Sequence, residues 1–187
     1  MSTEKNRCPW CGTEPIYVKY HDEEWGQPIH DDRLLFEFLV LESFQAGLSW
    51  LTVLKKRENF RKAFANFDAK KVSKFDQAKF DALMQDAGII RNRLKIEAAI
   101  NNAQRFLEIQ KEFGSFDKYI WSFTGGKTIV NKPKTLKDLP AKTAISDAMS
   151  KDMGLRGFKF RGSTICYAFM QAVGMVDDHL EDCWRKN

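Results

Sequence analysis

The sequence predicts an all-α fold, and three observations lead there. Apolar residues recur at three- and four-residue intervals in several windows, polar residues suited to helix N-caps stand before them, and sustained alternation of period two is absent. With 187 residues, 43% of them hydrophobic and 13% aromatic, the chain is long enough to bury a sizeable core. One compact domain over 1–187, built as two helical lobes on a shared core, is the expected organisation. Pro and Gly fall singly between periodic segments, and neither a repeat nor a low-complexity stretch interrupts them.

Taken in order, the first strong helix signal follows Asp31-Asp32, where Leu35, Phe38, Leu39, Glu42 and Ala46 share one face and acidic side chains suit the first turn. Gly47 stands where that helix ends. Short helices are expected after Asp68 and after Asp76. The clearest amphipathic pattern, Ile96, Ala99, Ile100, Ala103, Phe106 and Leu107, runs to a stop at Gly114. A further short helix is expected around Tyr119 to Phe123, then a Gly125-Gly126 turn inside a longer loop over 124–134. A helix starting near Ser146, a hairpin punctuated by Gly154, Gly157 and Gly162, and an apolar helix through Ile165, Ala168, Phe169 and Ala172 to Gly174 complete the chain. Glycines let this hairpin approach a polyanion closely. Free N–H groups at Ser163 and Thr164, opening the second helix, form a phosphate site that Lys159 and Arg161 reinforce, unless the segment is only a structural corner. Apart from any metal tie, both chain ends read as loose.

A net charge of +5 suits a polyanionic partner such as nucleic acid. No apolar run approaches the roughly 18 residues that a membrane span needs. The stretch Met1 to Cys8 has no apolar region of the kind that makes an export signal, so residence in the cytoplasm is expected. In that reducing compartment the 4 cysteines point away from disulfides, toward a metal site or buried thiols.

Their placement favours neither a lone thiol nor a redox pair. Cys8 and Cys11 form a C-x-x-C pair with His21 ten residues on, and His179 and Cys183 stand four apart, on one face if that segment makes a helical turn. Thiolates and imidazoles are zinc's preferred ligands, and a Cys2His2 set closes the tetrahedron with no position left for water, so the site would be structural and would tie the chain ends together. Spacing leaves open which of Cys8 and Cys11 binds. A catalytic zinc is disfavoured by the same closed geometry.

Glu42 is the odd residue on its apolar stripe. A buried carboxyl needs a partner or a purpose: it pairs with an arginine, lies at the stripe's edge, or faces a pocket. Trp50 is within reach, and an acidic group between aromatic walls accommodates a flat cation. The nearby Lys55-Lys56-Arg57 run is a solvated helix face or, beside a pocket, a set of phosphate contacts.

Five segments, Tyr20 to Gly26, Leu41-Glu42-Ser43-Phe44-Gln45-Ala46-Gly47-Leu48-Ser49-Trp50, Leu54 to Glu58, Gly88-Ile89-Ile90-Arg91 and Arg156-Gly157-Phe158-Lys159-Phe160, together closely resemble the 3-methyladenine DNA glycosylase I family, over Cys8 to Cys183. The resemblance implies a helix-hairpin-helix glycosylase fold and one structural zinc held by Cys8, His21, His179 and Cys183, with Cys11 an extra cysteine at a position where the family pattern need not have one. It implies a base pocket of Glu42, Tyr20 and Trp50, supported by Trp10 and Trp25, with Gln45, Gly47 and Leu48 filling the gap left by a flipped nucleotide. The implied reaction is hydrolysis of the N-glycosidic bond of 3-methyladenine in alkylated double-stranded DNA, with Glu42 the catalytic group, by a monomer without lyase activity that releases the free base. The family lacks the essential aspartate of many helix-hairpin-helix relatives, but Asp177 and Asp178 follow the hairpin here, and assistance from one of them stays open. The competing reading is a zinc-stabilised DNA-binding module, which needs no inward Glu42.

Overall fold

The computed structural model describes residues 5–186; residues 1–4, part of the stretch read above for an export signal, lie outside them. Along the chain run α1 (Pro15–Glu23), α2 (Asp32–Gln45), α3 (Trp50–Ala63), α4 (Ala69–Val72), α5 (Gln77–Gln85), α6 (Arg93–Phe113), α7 (Phe116–Ser122), α8 (Ala144–Leu155) and α9 (Ser163–Ala172). The caps read from sequence act as such. Asp31 accepts from the Leu34 N–H, Asp76 from Lys79, and Asp68 from Lys70 and Lys71, each satisfying donors that a helix start leaves unpaired. Gly114, in the left-handed region at φ 88°, closes α6.

Four expectations are corrected. First, α8 begins at Ala144, before Ser146: Thr143 is the cap, and Ser146 returns the bond as the third residue of a capping box. Second, the fold is not purely helical, because β1 (Ile129–Val130) pairs in parallel with β2 (Val176–Asp177). Third, the chain ends are not loose: the Trp184 N–H donates to the Asn6 carbonyl at 2.9 Å, and Asn6 Nδ2 donates to the Asp182 carbonyl at 2.8 Å. Fourth, His179 and Cys183 lie on a turn closed by the Cys183 N–H to the Leu180 carbonyl at 2.9 Å, not on a helix.

Helix α2 is enclosed by α3, α6, α7 and α9, and every residue from Leu35 to Phe44 is buried, so its apolar stripe is in fact a full circumference. That enclosure traps two carboxyls. Glu37 is fully satisfied: Arg57 Nε donates to it at 2.5 Å and Arg61 Nη2 at 2.7 Å. Burial favours its neutral form, but the Arg61 hydrogen bonds and the Arg57 charge outweigh this and hold its pKa below the ordinary carboxyl value. Arg57, read as a surface or phosphate-binding cation, is therefore buried in an ion network that also reaches Glu24 at 2.6 Å. Lys56 likewise is committed to the Ala87 carbonyl at 3.0 Å.

Candidate active site

Glu42 has no such arginine. It is 4% exposed, its Oε2 has no hydrogen-bond partner among the described residues, and burial alone pushes its pKa up to about 8. It faces a hollow of about 190 Å³ whose walls include Trp10, Tyr20, Trp25 and Trp50. The Tyr20 and Trp50 ring centroids lie 5.4 Å apart, Trp10 meets Trp25 edge-on at 4.8 Å, and Phe38 stacks parallel behind Trp50. The indole Nε1 atoms of Trp10 and Trp50 are also buried and unpaired. One buried oxygen and two N–H donors, all unsatisfied and all on one aromatic hollow, form a site whose polar atoms await a ligand. Two larger hollows, of about 450 and 420 Å³, have no such atom on their walls among the described residues.

Every residue assigned to the pocket from sequence lines it. Sequence reasoning missed Tyr17, Leu139, Ala168 and Gln171, which line it too. Tyr17 was recoverable, since it precedes Tyr20 by the helical spacing of three on α1; the others arrive through long-range folding. A second hollow of about 200 Å³ adjoins the first at Glu42, Gln45 and Ala168, and opens between Gly47 and Leu48 on one side and Thr164 and Ile165 on the other. Gly47 adopts φ 80°, and Leu48 is 41% exposed at the tip of that turn. Lys95 holds the turn's base: its buried ammonium donates to the carbonyls of Phe44 at 2.9 Å and Ala46 at 2.5 Å.

The hairpin over 156–162 joins α8 to α9. Asn102 of α6 grips it, accepting from the Lys159 N–H at 2.8 Å and donating to the Lys159 carbonyl at 2.9 Å. Gly162 caps α9 without a side chain, so no side-chain acceptor meets the first-turn N–H groups of Ser163 and Thr164. Lys159 is exposed. Arg161 is folded over Gly154, where a Cβ would come within 2.4 Å of its guanidinium carbon. Asp177 and Asp178 line neither hollow: Asp177 bonds the His179 ring at 2.8 Å, and Asp178 accepts from Tyr167 at 2.6 Å.

Behind the aromatic wall the chain ends meet. Ligand atoms of Cys8, His21 and Cys183, all buried, lie within 4.8 Å of one another. His179 packs edge-on against His21 with centroids 5.1 Å apart, and its Nε2 is buried without a partner. Each imidazole is oriented through Nδ1, His21 by Asp22 at 2.9 Å and His179 by Asp177 at 2.8 Å, the carboxylate-histidine pairing typical of metal ligands; it turns His21 Nε2 toward the Cys8 N–H at 3.3 Å and Cys183 Sγ at 3.5 Å. Cys11 is buried outside this group, its Sγ 3.8 Å from the Gly12 carbonyl.

An aromatic hollow closed by an unpaired carboxyl, opening beside a basic hairpin and a helix start without a side-chain cap, defines a helical protein suited to taking a planar cationic ring from a polyanion. The comparisons agree. The methyladenine glycosylase family model matches residues 10–186. DNA-3-methyladenine glycosylase of Haemophilus influenzae is 52% identical, covering 95% of this chain and 96% of its own, and DNA-3-methyladenine glycosylase 1 of Escherichia coli is 49% identical, covering 95% of each. A solved structure of 3-methyladenine DNA glycosylase I from Staphylococcus aureus, described for its recognition of 3-methyladenine, superposes with a TM-score of 0.94 at 40% identity, covering 98% of this chain and 97% of that one. The chain belongs to the methyladenine glycosylase family.

Proposed function

We propose that this chain is a base-excision repair enzyme that hydrolyses the N-glycosidic bond of 3-methyladenine in DNA. The observation that carries the reading is the unpaired, buried Glu42 carboxyl in an aromatic hollow of about 190 Å³. Extruding a base from duplex DNA costs a few kcal/mol, less for a damaged and poorly paired one. N3-methylated adenine is cationic within DNA and stacks favourably on Tyr20 and Trp50. With its pKa at about 8, Glu42 is mostly neutral in the empty pocket at pH 7, and ionising it there takes about 1 kcal/mol. A cation supplies the field that drives this ionisation, and the carboxylate then accepts from the base's amino edge. Unmethylated adenine brings no such charge and gains less. The methylated ring is already a good leaving group, so water attacks an oxocarbenium-like sugar without a strong general acid.

No lysine lines either hollow among the described residues, and Lys95 is committed to carbonyls, which supports a monofunctional hydrolase without lyase activity. The α8–hairpin–α9 segment serves as the helix-hairpin-helix grip on double-stranded DNA, through Gly157, Lys159, Gly162, Ser163 and Thr164. Arg161 plays a lesser part because it is folded back. Gln45, Gly47 and Leu48 enter the gap left by the flipped nucleotide. Cys8, His21, His179 and Cys183 hold one structural zinc, whose charge would make thiolates of buried thiols; burial otherwise pushes Cys8 up to about 12. The chain acts as a monomer and as one domain over 1–187. Among the described residues no helix is long and apolar enough to cross a membrane.

The test is release of free bases from methylated duplex DNA by the wild type and Glu42→Ala, with zinc measured on both. Prompt loss of 3-methyladenine with 7-methylguanine retained, and a marked drop in the variant at unchanged zinc, is expected. Release of no base by either protein would leave the non-catalytic DNA-binding module as the better account.

A further inference from the structure

Behind the α9 wall of the pocket lies a buried carboxyl that the reaction above does not use. Asp178 is 1% exposed and accepts from Tyr167 Oη at 2.6 Å, Gln171 Nε2 at 2.7 Å and Asn131 Nδ2 at 2.7 Å. The short parallel pairing of β1 with β2 brings Asn131 there, its own N–H donating to the Asp177 carbonyl at 3.1 Å. A carboxyl that receives donors on both oxygens acts only as an acceptor, so the contact fixes the Gln171 carboxamide one way round. Its NH2 group turns to Asp178, and Oε1 is left for the hollow that Gln171 lines. No donor among the described residues bonds that oxygen.

We propose that Gln171 is a specificity-determining residue of the pocket, its Oε1 a fixed acceptor that reads a donor edge of the bound base and opposes bases presenting a lone pair there. The proposal rests on the reading of the hollow as a methylated-purine site. Position along α9 argues for contact with the base, not with the DNA backbone. Thr164, Ile165 and Ala168 line the outer hollow beside Gly47 and Leu48, whereas Gln171 lines only the inner one. An unsupported glutamine presents either end of its amide with little preference, and so discriminates poorly between donor and acceptor edges. Reversing this one sets Oε1 against the Asp178 oxygen and loses a buried hydrogen bond. Asp178 is therefore a positioning residue acting through Gln171, and the small sheet acts through Asp178.

The experiment measures binding of free 3-methyladenine and of hypoxanthine by tryptophan quenching, and excision from methylated duplex DNA. It compares the wild type, Gln171→Met, Asp178→Asn and the double variant, with zinc content and Tm as checks because Asp178 adjoins His179. Gln171→Met should bind 3-methyladenine about tenfold more weakly while hypoxanthine binding holds or improves, so that the ratio between them falls. Asp178→Asn should lower the ratio similarly, and the double variant should fall no further than Gln171→Met. Both ligands bound by Gln171→Met within about twofold of wild type would overturn the proposal, and additive losses in the double variant would overturn the role of Asp178. Should Asp178→Asn fail to fold, Gln171→Met decides alone. A wild type that binds no 3-methyladenine would overturn the underlying reading of the pocket, and this proposal with it.

Discussion

At the scale of single residues, Glu42 combines a liability for folding with its use in the site. Its folded pKa of about 8 lies far above the ordinary glutamate value of 4.5, so the folded state retains a proton that the unfolded chain releases. Stability from this source is fully present below pH 4.5 and is lost as pH rises toward 8, beyond which the loss is constant. Glu42→Gln escapes it. The variant should match the wild type in urea midpoint at pH 4 to 5 and exceed it at pH 8 to 9, by a margin on the order of a few kcal/mol, while base excision falls on the order of 100-fold. Parallel pH profiles of the two proteins would contradict the burial argument. Gly26 is a second such position. At φ 74° it lies so close to His179 that a Cβ would be 2.9 Å from the ring Cε1. Gly26→Ala should therefore lower stability by roughly 1–3 kcal/mol and reduce bound zinc, both readable on one purified sample by melting and metal analysis.

Among the elements, the C-terminus of α2 and the turn after it depend on a cation from elsewhere. Lys95 sits in the first turn of α6, where a helix dipole disfavours positive charge, and its burial lowers its proton affinity. The two carbonyls it binds at the end of α2 offset both costs. Lys95→Met keeps the length and removes the charge. KM for duplex DNA should rise about tenfold as the Gly47-Leu48 turn loosens, with free 3-methyladenine binding nearly unchanged, because Lys95 is not among the residues that line the inner hollow; equal losses in both assays would argue for general unfolding instead. Elements governed by local chemistry were legible in the sequence. Asp31, Asp68 and Asp76 announce helix starts and Gly114 an end, because capping needs only neighbours. Short α1, opening with Pro15, offered no long period to read, and a ladder of two residues per strand has no period at all. Within the site, Glu42 stood out as a charge among apolar residues. Glu37, equally buried on the same helix, did not: Arg33 is its neighbour on α2 at 3.4 Å, but the closer Arg57 and Arg61 come from α3. Ala168 and Gln171 reach the pocket only when α9 folds against α2, and no local pattern marks that.

In the whole molecule, the hydrophobic core runs from Cys8 to Cys183, and the two chain ends close over the back of the pocket. Trp25 packs edge-on against His179 at 4.7 Å, and Trp10 lies 5.3 Å from His21, so the aromatic wall that would meet the base is also the outer face of the cysteine-histidine cluster. A metal there would do two things at once: cross-link residues far apart in sequence, much as a disulfide does, and fix the planes of two pocket indoles. Removing it by chelation, or preventing it with Cys183→Ala, should lower stability on the order of 4 kcal/mol by analogy with closing a long loop, and Tm by roughly 10 °C. Affinity for free 3-methyladenine should fall together with Tm, because the walls loosen as the ends part. A metal acting on water would behave otherwise, abolishing turnover while Tm and base binding held. Titrating zinc back into the chelated protein while following all three quantities separates the cases. Recovery of Tm, quenching by 3-methyladenine and base release along one curve is expected, and recovery of base release alone would mean that the cluster takes part in the chemistry.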